Sequence, residues 1–235
     1  MTTPQANAAA QARPPKLLLV GYGKMGRLVD QMAAEQGMDV VGRVDVDGHG
    51  WTDADVAIDF TTADALLANF PRYLERRLSV VIGTTGWAAH ESTLRADAER
   101  GGLGVVAAAN FSIGVNLFEM LVREAARLMQ VHEQYGAWVH EAHHAAKRDA
   151  PSGTALVLRA AMTGAGYQRT IDMSSTRAGM IPGTHTVGFD GQSDTIELTH
   201  RARDRRGFAG GALLAARWIQ GRSGWYSMSD VLTLS

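Results

Sequence analysis

Residues 16–26 read KLLLVGYGKMG, and this stretch decides how the first part of the chain folds. A short apolar run ends directly at three glycines spaced G-x-G-x-x-G, and residues 27–34 then carry apolar side chains at helical intervals. Gly37 is expected to end that helix, and residues 39–45 (DVVGRVD) are typical of a second strand that closes on an acid. The order of strand, glycine loop, helix, strand and acid is the context in which such a loop binds a dinucleotide.

Each part of this unit has a mechanical role. The glycines allow a tight turn, a close approach of the backbone to a pyrophosphate, and close packing of the helix on the strand, while the helix N-terminus offers N–H groups to the phosphates. The carboxylate of Asp45, about 20 residues further on, can accept hydrogen bonds from the adenosine ribose. Asp45 disfavours a 2′-phosphate, whereas Lys24, Arg27 and Arg43 could bind one. The same pattern also fits a glycine-rich turn in an ordinary βα unit, and the cofactor preference stays open.

Short apolar strands and helices continue to alternate up to residue 110. Residues 55–60, 79–82 and 104–109 are strand-like, and Thr61-Thr62 can cap the helix after the first of them. This alternation predicts an open parallel sheet, in which ligands bind beyond the carboxyl ends of the strands. Three loops fall at those ends, namely Phe60-Thr61, Gly83-Thr84-Thr85 and Asn110-Phe111. Each alone could be a plain turn, but together they mark one face.

The pattern changes after Asn110. We predict a helix over 114–130, a strand over 135–140, a helix over 151–161 with Ser152 or Asp149 as cap, and strands over 170–173, 183–189 and 195–201. A turn near Asp190-Gly191 would join the last two strands as a hairpin. A final helix over 210–220 could return to the first domain.

The predicted fold class is α/β, with an N-terminal Rossmann-like domain built on a parallel sheet and a C-terminal α+β domain with a mixed sheet. The expected boundaries are a disordered tail over 1–15, a dinucleotide-binding domain over 16–110 and 206–235, and a second domain over 111–205. The chain of 235 residues is long enough for both domains to bury a core.

The composition of the chain limits the classes of partner that it could bind. A formal net charge of −1 provides no basic field for nucleic acid or for an anionic membrane surface. The chain has no cysteine, which excludes a disulfide scaffold and a thiolate site and fits a reducing cytoplasm. No apolar run approaches the ~18–20 residues that a membrane span requires. We therefore expect neither a nucleic acid nor a membrane partner.

Residues 140–155, HEAHHAAKRDAPSGTA, concentrate titratable groups to a degree that packing does not explain, because charged groups avoid burial unless they are paired. One interpretation is a zinc site, since residues 140–144 satisfy H-E-x-x-H. That motif needs a helix, whereas residues 136–139 are strand-like. The further glycine and histidine of the longer zinc motif are also missing, with Lys147 standing where the glycine would be. We therefore predict no metal.

The other interpretation is a site for anions and proton transfer. Lys147 and the histidines supply donors for carboxylates, and Gly153 and Thr154 at a helix start add N–H groups and a hydroxyl for a second anion. A histidine can then act as a general acid. A solvated polar loop that caps a helix is the plainer alternative.

Glu141 to Ala155 follow E-A-H-H-x-x-K-x-D-A-P-S-G-T-A, which resembles the signature of the 4-hydroxy-tetrahydrodipicolinate reductase family, the dihydrodipicolinate reductases of lysine biosynthesis. The likeness covers nearly everything after the tail. It extends to residues 21–26 (GYGKMG), 59–61 (DFT), 83–86 (GTTG), 108–116 (AANFSIGVN) and 177–179 (RAG).

The resemblance implies a cytoplasmic enzyme that reduces a cyclic imine dicarboxylate with NADH or NADPH, and whose domain over 111–205 binds substrate and builds a homotetramer. His143 would be the proton donor and Lys147 an assisting acid or charge stabiliser, while His144, Gly153 and Thr154 would hold the substrate carboxylates. NADH is favoured, because Val46 follows Asp45 where some members carry an arginine. The implied cofactor contacts are Gly21, Tyr22, Gly23, Lys24, Met25, Asp45, Gly83, Thr84, Thr85, Ala108, Ala109, Asn110 and Phe111.

Two other functions share part of this sequence pattern. An amino-acid dehydrogenase of similar architecture would keep the cofactor loops but lack the complete set of histidines, lysine and Ser-Gly-Thr. A non-catalytic NAD-binding sensor would keep residues 21–26 without needing His143 together with Lys147.

Overall fold

The structure is a computed structural model, and it describes residues 13–234. In chain order the elements are β1 (Leu17–Val20), α1 (Lys24–Glu35), β2 (Val40–Val44), β3 (Val56–Asp59), α2 (Ala63–Glu75), β4 (Ser79–Ile82), α3 (Glu91–Gly101), β5 (Gly104–Ala107), α4 (Ile113–Met129), β6 (Gly136–His143), α5 (Gly153–Gly164), β7 (Ile171–Arg177), β8 (Thr184–Asp190), β9 (Thr195–Arg201), α6 (Arg206–Ile219), β10 (Gly224–Tyr226) and α7 (Met228–Thr233). Among residues 13–234, no helix combines the length and the apolar character that crossing a membrane requires.

The described part of the chain begins inside the predicted tail. Residues 1–12 of that tail lie outside the described residues. The Arg13 guanidinium donates to both carboxylate oxygens of Asp55, at 2.8 and 2.9 Å. The chain is thus attached next to β3 before the predicted tail boundary at residue 15.

Residue contacts divide the chain into two compact units. The first contains the residues up to Ala109 together with Ala212–Val231, and the second contains Asn110–Gly211 with Leu232–Leu234. Asn110 and residues 206–211 therefore lie in the second unit, although we predicted them in the first domain. The cause is local packing: a Cβ on Gly211 would overlap the Phe111 carbonyl oxygen, so the first turns of α6 lie tightly on that segment.

The first unit contains the predicted parallel sheet. Its strand order is β10-β5-β4-β3-β1-β2, and every neighbouring pair is parallel. β1 and β3 are buried along their whole length, as expected for strands covered on both faces. The Thr62 hydroxyl accepts from the Ala65 amide at 3.3 Å and caps α2, as predicted. β10 was not predicted, because three residues carry too little periodicity and its pairing with β5 is long-range.

The second unit has the predicted mixed sheet, in the order β7-β6-β8-β9. β6 pairs parallel with β7 and antiparallel with β8, and β8 and β9 form the predicted hairpin. α4 and α5 cover one face of this sheet, and the shared core includes Phe118, Val122, Val139, Leu158 and Phe189. The Rossmann-like parallel sheet of the first unit and the mixed sheet of the second unit together confirm the predicted fold class.

Two local predictions around the histidine cluster need correction. β6 runs on to His143 instead of ending at His140, because the cross-strand pairing with β7 and β8 continues. α5 begins at Gly153 rather than Pro151, since Ser152 has extended backbone and its hydroxyl accepts from the Ala155 amide at 3.2 Å. Ser152 is therefore the cap, and Asp149 is not.

Candidate active site

The glycine loop follows β1 as predicted, and its geometry requires glycine. Gly21 has φ +89°, and a Cβ there would overlap the Phe60 carbonyl oxygen. A Cβ on Gly26 would likewise overlap the Gly21 carbonyl oxygen. α1 then begins at Lys24, and its cap residue, Gly23, supplies no side chain to the first-turn N–H groups. Those groups stay available for an anion such as a pyrophosphate.

A cavity of about 440 Å³ lies beside this loop in the first unit. Gly21, Tyr22 and Gly23 line it together with the exposed Asp45 and Val46 at the end of β2. Lys24 is exposed and Met25 half-buried in the first turn of α1. The loop and the acid predicted for the dinucleotide thus share one cavity, which fits an adenosine ribose beside a pyrophosphate.

One of the three cations near this cavity is already neutralised. Arg43 donates to both oxygens of Asp30, at 2.6 and 2.7 Å, and the Tyr22 hydroxyl donates to the same carboxylate at 2.5 Å. The hydrogen bond to Asp30 raises the pKa of Arg43 and outweighs the opposing effect of burial. Arg27 lies over the Tyr22 ring, 5.7 Å from its centroid. Within residues 13–234, Lys24 is the one of these three cations that makes no side-chain hydrogen bond, ion pair or ring contact.

A buried carboxylate fixes the next two loops of the sheet edge. Asp59, at the end of β3, accepts from the Tyr73 hydroxyl at 2.7 Å, the Thr61 hydroxyl at 2.6 Å and the Thr84 hydroxyl at 2.8 Å. Burial raises the pKa of Asp59, and the hydroxyl donors oppose that rise. The Thr61 amide donates in turn to the Thr84 hydroxyl at 2.7 Å. Asp59 thereby joins the loops after β3 and β4.

The predicted cofactor contacts in these loops differ in accessibility. Thr84 is 4% exposed and its hydroxyl serves Asp59, so its side chain is not free for a ligand. Thr85 is exposed, and Gly83 is half-buried. A second cavity of the first unit, about 350 Å³, is lined by residues that include Thr84, Thr85, Ala108 and Ala109.

Asn110 and Phe111 lie in the second unit. Phe111 is 2% exposed, so its side chain packs in the protein interior. Asn110 accepts from the Ser112 amide at 2.8 Å and lines the cavity that contains His143. The family resemblance implies that both residues contact the cofactor, and this stays a prediction.

The second unit encloses a cavity of about 500 Å³ that gathers the predicted chemical groups. His143, His144, Lys147 and Thr154 all line it, and Gly153 precedes Thr154 at the start of α5. The lining also includes residues that we did not single out from the sequence, among them His185, His200 and Arg205.

Behind this cavity lies the buried carboxylate of Glu141, which accepts hydrogen bonds from three directions. Its side chain is 1% exposed. His143 Nδ1 lies 2.5 Å from Oε2, Arg177 donates to both oxygens at 2.8 and 2.7 Å, and the Ser152 amide donates at 3.2 Å. Burial would raise the pKa of Glu141, but hydrogen bonds from Arg177, Ser175 and His143 lower it to about 2. Glu141 is therefore ionised throughout the physiological range.

Two further histidines of the cavity are held neutral by their surroundings. His185 is 5% exposed, and its Nε2 lies 2.9 Å from the Ser152 hydroxyl. Burial, with repulsion from His143, lowers the pKa of His185 to about 4. Burial also lowers the pKa of His200, whose ring lies 5.9 Å from that of Phe118. Lys147 and Arg205 are the lysine and arginine side chains that line the cavity.

Lys147 already binds a carboxylate. Its Nζ donates to both oxygens of Asp149, at 2.7 and 2.9 Å. The hydrogen bond from Lys147 lowers the pKa of Asp149, and the Gly153 amide contributes in the same direction. The donors predicted for a substrate carboxylate therefore hold an exposed carboxylate of the chain itself.

Glu141, Arg177 and His185 were missed as functional residues because their proximity depends on strand register. His143 pairs with Arg177 across β6 and β7, and Glu141 pairs with His185 across β6 and β8. The sequence contains the three residues but gives no sign of this pairing. Only the two-residue spacing of Glu141 and His143, which places both on one face of a strand, was available beforehand.

The zinc interpretation has no structural basis at this site. His140 and Glu141 lie on a strand, so the helical face that H-E-x-x-H requires is absent. His140 Nδ1 lies 2.9 Å from the Ser174 hydroxyl instead. Within residues 13–234, no group of three or more His, Asp or Glu side chains is arranged to hold a metal ion.

Comparisons with known proteins point to one family. Residues 114–232 match the model for the C-terminal part of dihydrodipicolinate reductase, and residues 49–111 match the model for its N-terminal part. The 4-hydroxy-tetrahydrodipicolinate reductase of Christiangramia forsetii is 34% identical over 92% of this chain and 97% of its own length. That of Methanoregula boonei is 38% identical over 93% of this chain and 98% of its own length.

A solved structure supports the fold. Dipicolinate-bound dihydrodipicolinate reductase from Paenisporosarcina sp. TG-14 superposes with a TM-score of 0.78 at 20% identity, over 91% of this chain and 97% of that one. With both family models matched and relatives above 30% identity along nearly the whole chain, this chain belongs to the dihydrodipicolinate reductase family.

Proposed function

We propose that this chain reduces 4-hydroxy-tetrahydrodipicolinate, or its dehydrated form dihydrodipicolinate, to tetrahydrodipicolinate in the diaminopimelate route to lysine. The observation that carries this proposal is the gathering of His143, His144, Lys147 and Thr154 on one cavity of about 500 Å³, in a chain of this family. Such an enzyme would work in the cytoplasm.

The substrate carries two carboxylates, and the cavity has two sets of donors for them. Lys147 and His144 would bind one carboxylate through charge-assisted hydrogen bonds. The Thr154 hydroxyl and the N–H groups of Gly153 and Thr154, at the N-terminus of α5, would bind the other. Binding at Lys147 requires exchange of the Asp149 carboxylate for that of the substrate.

The reaction needs a proton on the substrate. Hydride addition to a conjugated imine develops negative charge on the ring, and protonation of carbon neutralises it to give tetrahydrodipicolinate. His143 would donate that proton, with Lys147 stabilising the developing charge. NADH or NADPH would supply the hydride when bound and would thereby be oxidised. One hydride and one proton convert dihydrodipicolinate to tetrahydrodipicolinate, and the hydroxylated form also releases one water molecule.

The cofactor would bind in the first unit. The N–H groups at the start of α1, with Gly21 to Met25, would hold the pyrophosphate, and Asp45 the adenosine ribose. Thr85, Ala108 and Ala109 line the second cavity of that unit and would contact the remaining part of the cofactor, with Gly83 and Thr84 shaping the loop. A Cβ could not be placed at Gly21 or Gly26, as expected of a loop built for close approach.

Reductase activity is tested by following cofactor oxidation while an upstream synthase generates the substrate from pyruvate and aspartate semialdehyde. We expect turnover by the wild type, loss of turnover in His143→Gln plus Lys147→Ala, and retained NADH binding in that variant. His132→Gln plus Arg148→Ala removes a histidine and a cationic side chain at exposed positions and should keep activity. Absence of wild-type turnover with either cofactor, despite NADH binding, would refute the proposal in favour of an NAD-binding sensor or another dehydrogenase.

We further propose a preference for NADH. Asp45 is exposed beside the loop, Val46 follows it, and Asp30 neutralises Arg43. A 2′-phosphate would meet the Asp45 carboxylate with little cationic compensation. Titration of each cofactor should give a lower Kd for NADH, and Asp45→Asn should narrow the difference. Tighter binding of NADPH by the wild type would contradict this preference.

The family resemblance also implies a homotetramer, which we propose forms through the second unit. α4 and α5 cover one face of the mixed sheet, whereas the opposite face presents the half-buried Trp138 beside Gly188. Light scattering coupled to size-exclusion chromatography should give four chains for the wild type and fewer for Trp138→Glu. A monomeric wild type, or an unchanged tetramer in the variant, would contradict the proposed interface.

A further inference from the structure

The buried carboxylate behind the cavity carries an inference that rests on the proposed function and deepens it. We propose that Glu141 is a positioning residue that fixes the His143 ring with a proton on Nδ1, so that Nε2 is the atom that transfers a proton to the substrate. Glu141 does not line the cavity, and it acts through His143.

The geometry determines which nitrogen faces the carboxylate. Glu141 and His143 are two residues apart on β6 and lie on the same face. The 2.5 Å contact joins Nδ1 to an oxygen of Glu141 that, when ionised, can only accept. Nδ1 must therefore be the donor in both protonation states of the ring. Nε2 points the other way, where a Cβ built on Gly183, a cavity residue, would lie 3.2 Å from it.

The surroundings of Glu141 keep it an acceptor. A protonated carboxyl could donate to Nδ1 and reverse the tautomer. Arg177 prevents this, because its two N–H groups occupy both oxygens at 2.8 and 2.7 Å and favour the charged form. The Ser152 amide adds a third donor at 3.2 Å. The lowered pKa of Glu141 has the same cause.

Glu141 also connects the proton donor to the proposed anion site. The same Ser152 whose amide binds Glu141 caps α5 through its hydroxyl. The residues that follow it, Gly153 and Thr154, are the proposed carboxylate donors. The distance between proton donor and bound carboxylate is therefore set through one buried group.

A purely structural role for Glu141, as a partner for Arg177, makes different predictions. In that case the removal of Glu141 would lower the stability of the fold. The tautomer of His143 would stay the same, and kcat would not fall relative to the Kd values. Measurements of tautomer and of binding therefore separate the two roles.

The first test uses the wild type, so folding of a variant does not enter. Solid-state ¹⁵N NMR of histidine-labelled protein, recorded where the imidazoles are neutral, should show His143 protonated on Nδ1, with its signals assigned by their loss in His143→Gln. The exposed His132 serves as the internal reference and should show the usual preference for Nε2 protonation. A proton on Nε2 of His143 would overturn the proposal whether or not the chain is a reductase.

The second test replaces Glu141 with its neutral isostere. In Glu141→Gln we expect kcat to fall about 10- to 100-fold, a part of the roughly 10²–10⁴-fold that general acid catalysis contributes. The Kd values for dipicolinate and NADH should stay within about threefold, since the cavity donors are kept. Glu133→Gln, at an exposed loop position of the same unit, is the matched control. Unchanged kcat in a folded Glu141→Gln protein would overturn the positioning role.

The two tests also separate this inference from the proposed function. A wild type with His143 protonated on Nδ1 but without reductase turnover would refute the proposed function and leave the positioning of His143 intact. Turnover in a wild type whose His143 carries the proton on Nε2 would support the proposed function and refute the positioning of His143 by Glu141.

Discussion

Acidification from about pH 7 to 5 should destabilise the second unit through His185, while the buried carboxylate of Glu141 stays ionised. Burial and the nearby His143 lower the pKa of His185 from 6.5 to about 4. Between those values the unfolded chain binds a proton that the folded chain does not. The stability that this neutral histidine contributes is therefore complete above about pH 6.5 and is lost as the pH falls towards 4.

The size of the effect follows from the two pKa values. At about pH 5 the unfolded histidine is almost fully protonated and the folded one hardly at all, so the free energy of unfolding falls by about 2 kcal/mol. Glu141 also has a lowered pKa, about 2 against 4.5, but its stabilisation is lost below about pH 4.5. The interval from about pH 7 to 5 therefore isolates His185 from Glu141.

Urea unfolding of the wild type and of His185→Gln, across this pH interval, measures the effect. The glutamine keeps a polar group near the Ser152 hydroxyl but removes the titration. The wild type should lose about 2 kcal/mol more than the variant on acidification, whereas His132→Gln, at an exposed site, should behave like the wild type. Parallel losses in the wild type and in His185→Gln would show that His185 is not held neutral by burial and would refute the reasoning.

Three further predictions concern the cavity, the sheet edge and the glycine loop. Asp149→Asn should release Lys147 and lower the calorimetric Kd for dipicolinate several-fold, because no carboxylate of the chain then competes for its Nζ; an unchanged Kd would contradict this. Thr84→Val removes a donor from Asp59 and an acceptor from the Thr61 amide, so the free energy of unfolding should fall by about 1–3 kcal/mol. Thr85→Val, at an exposed site, should lower the free energy of unfolding by less than half as much. Equal losses in the two variants would argue against the hydrogen bonds that join Asp59, Thr61 and Thr84. Gly21→Ala should weaken NADH binding at least tenfold and leave dipicolinate binding intact, since φ +89° and the Phe60 carbonyl exclude a side chain there; unaltered NADH titration would refute the assignment of the loop.

Local patterns predicted much of the fold. The glycine loop, the Thr62 cap and the hairpin at Asp190-Gly191 are each defined by residues close together in sequence, so their chemistry is visible in the sequence alone. β10 and the parallel pairing of β6 with β7 depend on distant segments. No short window of sequence contains that information.

The candidate site divides in the same way. Lys147 and Thr154 lie within eight positions of each other, and their motif predicted that they belong to one site; both line the same cavity. Arg177 and His185 reach the same site through β7 and β8, and only the register of those strands brings them beside Glu141 and His143. The motif around Phe111 gave no sign that its ring would be buried, and its contact with the cofactor stays a prediction.

Both units place a buried carboxylate at the carboxyl end of a strand, and the difference between the two indicates what each does. Asp59 is surrounded by the hydroxyls of Thr61, Thr84 and Tyr73, and burial raises its pKa. Hydroxyls can donate to a charged carboxylate or accept from a neutral one, so Asp59 can hold the two loops in either state. Glu141 has an arginine instead, and its pKa is lowered. A guanidinium only donates, so it stabilises the charged form alone. Asp59 joins two loops and can do so whether its carboxyl group is charged or neutral. Glu141 must always accept a hydrogen bond from Nδ1 of His143, so it has to stay charged.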